Sequence, residues 1–222
     1  IAIVPRNQVS VDNRRRSVAE LRCPHHLDAE VGGGVVGVGF IGVAHVEALR
    51  RLGIEVAGVV GSSPERARAK ADAANLPKVY NSLAELAADP EIDVIHIASP
   101  NHAHADQVRL AIDAGKHVVC EKPLALTEAE CREMEAAARA SGVTFMEAFM
   151  YRCHPQTKKI VELVKEGVIG EVRMIRSSFG FGGGYTIAAD RRTFNMALGG
   201  GGILDVGCYP VSMARLVAGA AT

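Results

Sequence analysis

From Val35 onward, short apolar runs alternate with longer segments whose apolar residues recur every three or four positions. The run Val35 to Val38 reads as a short buried strand, and the segment from Phe40 to Gly53 as a helix ended by that glycine. The same alternation continues down the chain. It predicts strands over 54–61, 78–80, 93–99, 117–120 and 143–149, with helices over 62–76, 82–89, 104–115 and 127–142. Helix ends carry their own signals. Ser63 precedes Pro64 as an N-cap, Thr127 and Glu130 form a capping box, and Gly115 and Gly142 stand where helices close. Strands that are apolar along their whole length, separated by helices, imply a parallel sheet covered on both faces.

After Phe149 the rhythm changes. Residues 155–167 read as an amphipathic helix, and 170–181 alternate as a strand of an antiparallel sheet would. The clusters GGGY (182–185) and GGGG (199–202) frame an irregular stretch before a last helix over 203–219. Pro210 inside that helix should bend it or mark its restart. A boundary near 150 is expected, giving a poorly ordered extension over 1–30, a first domain over 31–150 and part of a second over 151–222. One strand cannot make a sheet, so the second part is expected to be cut short or completed by something else.

Composition narrows the function classes. Of 222 residues, 48% are apolar, enough for a sizeable core, and Lys+Arg and Asp+Glu balance at 25 each, which gives no electrostatic case for nucleic acid or a membrane surface. No apolar run is long enough to span a bilayer. The five cysteines (23, 120, 131, 153, 208) are scattered without a C-x-x-C, as expected of reduced thiols in the cytoplasm. Cys23, His25 and His26 make a poor ligand set, so no metal site is expected there. Organelle targeting by the extension, which holds Arg14, Arg15 and Arg16, is left open.

The first strand runs into Gly37-Val38-Gly39-Phe40-Ile41-Gly42, a G-x-G-x-x-G that opens a helix within a βαβ unit. In that context the glycines serve a dinucleotide: Gly37 for the tight turn, Gly39 for approach of a pyrophosphate, Gly42 for close helix–strand contact. The helix N-terminus offers free N–H groups to the phosphates. The second strand ends Val60-Gly61-Ser62-Ser63 without the carboxylate that would hold a ribose 2′-hydroxyl, and Arg66 and Arg68 follow. Hydroxyls with a guanidinium can receive a 2′-phosphate that a carboxylate would repel. The reading favours NADP and keeps NAD open; Ser63 can equally be no more than a cap, and the arginines a solvated face.

In such a sheet ligands bind beyond the carboxyl ends of the strands. Three loops carry polar chemistry there: Ser99-Pro100-Asn101-His102-Ala103-His104, Glu121-Lys122-Pro123 and Tyr151-Arg152-Cys153-His154. Farther on, Asp205 and Tyr209 are spaced to share a helical face. A nearby lysine would lower the pKa of the tyrosine and make it an acid/base near neutral pH. The same residues are also consistent with Lys122 as a surface lysine in a turn, Tyr209 as a packing residue and Asp205 as a surface acid.

Taken together, GVGFIG, PNHAH, EKPLAL, MEAFMYRCHP and GGGGILDVGCYP, in that order from about residue 33 to the end, resemble the glucose–fructose oxidoreductase/inositol dehydrogenase (Gfo/Idh/MocA) family. The branch resembled holds xylose and dihydrodiol dehydrogenases. The resemblance implies a Rossmann doubly wound parallel sheet followed by part of an α+β domain with an open antiparallel sheet, the chain being C-terminally incomplete. It implies an NAD(P)-dependent oxidoreductase moving a hydride to or from a sugar or polyol-like carbinol, with Lys122 and Tyr209 as the catalytic pair and Asp205 binding substrate hydroxyls. Ser99, Pro100, Asn101, His104 and Glu121 are then expected on the cofactor side and Arg152 on the substrate side, with a cis bond at Lys122–Pro123 and a homo-oligomeric parent enzyme. A non-catalytic dinucleotide-binding module, or an inactive fragment, is the alternative.

Overall fold

The computed structural model describes residues 31–180 and 193–219. Six strands form one sheet: β1 (Gly32–Val36), β2 (Glu55–Val60), β3 (Lys78–Val79), β4 (Val94–Ile97), β5 (His117–Glu121) and β6 (Phe145–Ala148). Their order is β3-β2-β1-β4-β5-β6 and every pairing is parallel. Between them run α1 (Phe40–Arg51), α2 (Pro64–Ala73), α3 (Leu83–Ala88), α4 (His104–Asp113) and α5 (Glu128–Ser141). The Rossmann sheet expected from the sequence is therefore present.

Each face of the sheet is covered, and alternation along a strand decides which residue goes where. Val35 packs with Val46 and Leu49 of α1 and Ala71 of α2, while its neighbour Val36 joins the larger core with Leu86 of α3, Val108 of α4 and Met134 of α5. The predicted caps form as well: Ser63 Oγ accepts the Arg66 N–H, and Thr127 and Glu130 make both bonds of the capping box.

β1 starts earlier than the apolar pattern indicated, at Gly32 rather than Val35. An added Cβ at Gly32 would meet the Glu91 carbonyl, and one at Gly34 would lie 2.8 Å from Leu86. Glycines extend this strand because neighbouring chain crowds it. The expected extension over 1–30 and the GGGY cluster lie outside the described residues.

Beyond β6 come α6 (Pro155–Lys165) and α7 (Cys208–Val217). Of the antiparallel strand expected over 170–181, the described part, up to residue 180, carries no ladder, and no antiparallel pair occurs among the described residues. Alternation alone does not make a strand. Its backbone groups need a facing strand, and here Met174 and Phe179 are exposed. The expected last helix is also interrupted: one π-helical turn (Ile203–Gly207) precedes α7, so the chain restarts just before Pro210. A proline donates no N–H, and the wider turn upstream accommodates that loss.

Candidate active site

The strand order reverses between β1 and β4, and there a crevice of about 1400 Å³ opens above the carboxyl ends of the strands. The glycine loop forms its floor. Gly37 has φ +94°, and an added Cβ would lie 2.5 Å from the Ala98 carbonyl oxygen, so the turn between the two switch-point strands takes only glycine. At Gly39 an added Cβ would meet nothing within 4 Å and would project into open space. The N-terminus of α1 has no side-chain cap and no acid in its first turn. Open space and uncapped N–H groups are what a pyrophosphate needs, so these residues fit a dinucleotide.

Ser62 and Arg66 line the far end of the crevice, together with Lys70, one turn beyond Arg66. Ser63 does not line it and caps α2 instead. Arg68 is committed elsewhere, to Asp72 at 2.9 Å and the Leu76 carbonyl at 3.1 Å. The sequence reading missed Lys70, although its spacing from Arg66 puts both on one helical face.

The catalytic candidates meet at the other end. The Lys122–Pro123 bond is cis. Lys122 Nζ donates to the Asp205 carbonyl at 2.6 Å, lies 4.0 Å from its carboxylate, and stands 5.1 Å from the centre of the Tyr209 ring. Lys122 thus shares one wall of the crevice with Glu121 and with Asp205 and Tyr209, which lie 83 or more residues further along the chain. Tyr209 packs edge-on against Phe149, with Tyr151 and Phe179 also against it.

Contrary to the expectation from the sequence, Lys122 does not lower the pKa of Tyr209. Its phenol is pushed up to about 12, first by burial and then by the Glu121 carboxylate. The Lys122 ammonium lies over the ring and gives a hydrogen to a backbone carbonyl, so desolvation prevails. At neutral pH Tyr209 is a phenol, equipped to donate a proton.

Other expected residues take supporting places. Asn101 borders the crevice, but its amide donates to the Gly199 carbonyl at 2.8 Å, tying the second glycine cluster to the loop after β4. Ser99 and Pro100 line the crevice beside it, and Ser99 Oγ donates to Gln107 at 2.6 Å. His104 does not reach the crevice: it is fully buried behind the wall, with ring nitrogens 2.8 Å from the Pro123 carbonyl and 3.0 Å from that of Ser99. It joins the two loops from behind. Gly42 is likewise buried, pressed against Gly37. Arg152 turns away and donates to Ser212 Oγ on α7 at 3.1 Å. Phe40 and Ile41 line the floor. No cluster able to hold a metal occurs among the described residues, and none of their helices is long and apolar enough to cross a membrane.

Comparison with known proteins agrees with this fold. Residues 31–149 match the family described as "Oxidoreductase family, NAD-binding Rossmann fold", and residues 157–222 match the GFO/IDH/MocA C-terminal domain. The chain is 41% identical over 187 residues to D-xylose 1-dehydrogenase (NADP(+)) 2 of Haloferax volcanii, covering 84% of this chain and 57% of that protein. It is 40% identical to trans-1,2-dihydrobenzene-1,2-diol dehydrogenase of Xenopus laevis, covering 83% and 56%. It thus spans little more than half the length of these relatives. Among solved structures, the aldose–aldose oxidoreductase of Caulobacter crescentus complexed with glycerol superposes with TM-score 0.71 at 26% identity, covering 86% of this chain and 58% of that one. KijD10, a 3-ketoreductase of Actinomadura kijaniata in complex with NADP, gives 0.68 at 28%, covering 86% and 56%.

Proposed function

Because the chain belongs to the Gfo/Idh/MocA family of NAD(P)-binding oxidoreductases, we propose that it carries the active site of a dehydrogenase acting on a carbinol of a sugar, polyol or dihydrodiol, with NADP as the preferred cofactor. The observation that carries this reading is the meeting of Lys122, Asp205 and Tyr209 in the crevice above the glycine loop. When bound, the nicotinamide supplies the hydride acceptor or donor.

The protein's own groups do the rest. Uncapped N–H groups at the start of α1 receive the pyrophosphate, and Ser62, Arg66 and Lys70 receive a 2′-phosphate. Tyr209, protonated at neutral pH, donates its hydrogen to a substrate carbonyl oxygen in the reductive direction and recovers it from solvent. Lys122 holds positive charge beside that oxygen and is kept in place by the Asp205 carbonyl. The Asp205 carboxylate accepts from a neighbouring substrate hydroxyl. The xylose and dihydrodiol dehydrogenase relatives support the substrate class, since both names describe oxidation at carbons bearing hydroxyls.

Fluorescence titration with NADPH and NADH tests the cofactor. NADPH should bind about tenfold more tightly, a difference of about 1.4 kcal/mol, and Ser62→Asp should reverse the order. A stronger NADPH preference in that variant overturns the assignment. Lys122→Ala should keep NADPH binding and lose turnover on a panel of sugars and diols. Substantial remaining activity would count against the catalytic pair, and binding without turnover in the wild-type chain would favour a non-catalytic module.

A further inference from the structure

Three polar side chains meet across the sheet beside the site, and the chemistry above does not employ their mutual contacts. His96 projects from β4, His45 from the middle of α1, and Glu121 ends β5. The two rings meet near edge to face, at 72°, with their Nδ1 atoms 2.8 Å apart. His45 Nε2 lies 3.1 Å from Glu121 Oε1, and Glu121 Oε2 accepts the backbone N–H of Lys122 at 3.2 Å. The line of contacts therefore runs from β4 through α1 to the turn that carries Lys122.

The direction of these bonds follows from donor and acceptor counting. A carboxylate oxygen only accepts, so His45 Nε2 bears a hydrogen whether the ring is neutral or charged. In the neutral ring Nδ1 is then a lone pair, and the short contact beyond it requires a hydrogen on His96 Nδ1. His96 stays neutral down to about pH 4, because burial and the facing His45 disfavour its charged form. With both rings neutral the two tautomers are fixed, and His96 orients the His45 ring that holds the carboxylate.

We propose that His45 is a positioning residue that locks the Glu121 carboxylate, and through it the Lys122 turn, to the helix that begins at the glycine loop. α1 starts at Phe40 on the crevice floor, so a single rigid helix sets both the floor and the reference point for the lysine. Lys122 is held at its other end by the Asp205 carbonyl on a distant segment. Without the imidazole, the Glu121 side chain can rotate and the turn loses its link to α1. The inference rests on the role proposed for Lys122, and its test is arranged so that either can fail alone.

The experiment uses the full chain without substrate. Long-range proton–nitrogen correlation spectra at neutral pH should show His45 as the Nε2–H tautomer and His96 as the Nδ1–H tautomer. Reductive methylation with a carbon-13 label gives a reporter on Lys122, identified by its absence in Lys122→Arg. His45→Leu should move that signal by more than its linewidth, whereas His45→Gln, whose amide N–H can reach the same carboxylate, should leave it near the wild-type position. NADPH affinity should change by no more than about threefold in either variant, because the loop amides are untouched. His45 found as the Nδ1–H tautomer overturns the proposal. So does a Lys122 signal that is the same in His45→Leu as in the wild type, or a tenfold loss of NADPH affinity on that substitution. Should His45→Leu fail to melt cooperatively, the tautomers and His45→Gln decide. A wild-type chain that binds no NADPH overturns the cofactor reading and leaves the tautomer result standing.

Discussion

At Tyr209 two influences act in opposite directions, and their balance is a matter of place. A cation near the phenolic oxygen would stabilise phenolate, but Lys122 stands over the ring face and gives a hydrogen to a carbonyl, while burial and then Glu121 favour the neutral form. Tyr80, buried and donating to Asp89 at 2.7 Å, is also raised to about 12. The unfolded chain ionises both near the ordinary 10, so their stabilisation is complete below about pH 10 and is lost as pH rises towards 12. At pH 10.5 the tyrosinate absorbance of Tyr209→Phe should accordingly equal that of the wild type. A fall in absorbance would show that Tyr209 had already ionised.

The turn from β1 into α1 puts three glycines to different uses, and two substitutions should separate them. At Gly42 an added Cβ would collide with the Gly37 carbonyl oxygen, which is backbone and cannot step aside. Gly42→Ala should therefore lower the melting temperature, at a cost of about 1–3 kcal/mol or more. At Gly39 the same methyl enters open space above the loop. Gly39→Ala should leave the melting temperature nearly unchanged and weaken NADPH binding, as a titration beside a thermal melt would show. The motif and its place after a strand were legible in the sequence because loop, helix and strand are contiguous there. The segment 171–180 alternates without forming a strand for the converse reason: its alternation is local, whereas a strand depends on a partner that alternation does not supply. The π turn before Pro210 lay between: the proline announced an interruption, and the structure gave its form.

Across the whole molecule, the half-buried His96 links the site to folding stability. Its folded pKa falls from 6.5 to about 4, so the neutral ring stabilises the fold above pH 6.5 and that contribution is lost as pH falls through about 4. Chemical denaturation should show wild-type stability dropping by on the order of 3 kcal/mol over that window from this group, and His96→Asn should flatten the drop. A slope that is the same in both would exclude His96 as its source. Period, caps and turn glycines determined the order of strands and helices in the first part of the chain, because each of those signals acts between residues a few positions apart. They also placed Lys122 and the glycine loop at the carboxyl ends of strands. Only the tertiary structure decided that Arg152 and His104 turn away from the crevice, that Lys70 enters it, and that His45, His96 and Glu121 form one chain. These residues lie on separate elements, and their contacts, burial and protonation depend on how those elements pack, which no local spacing encodes.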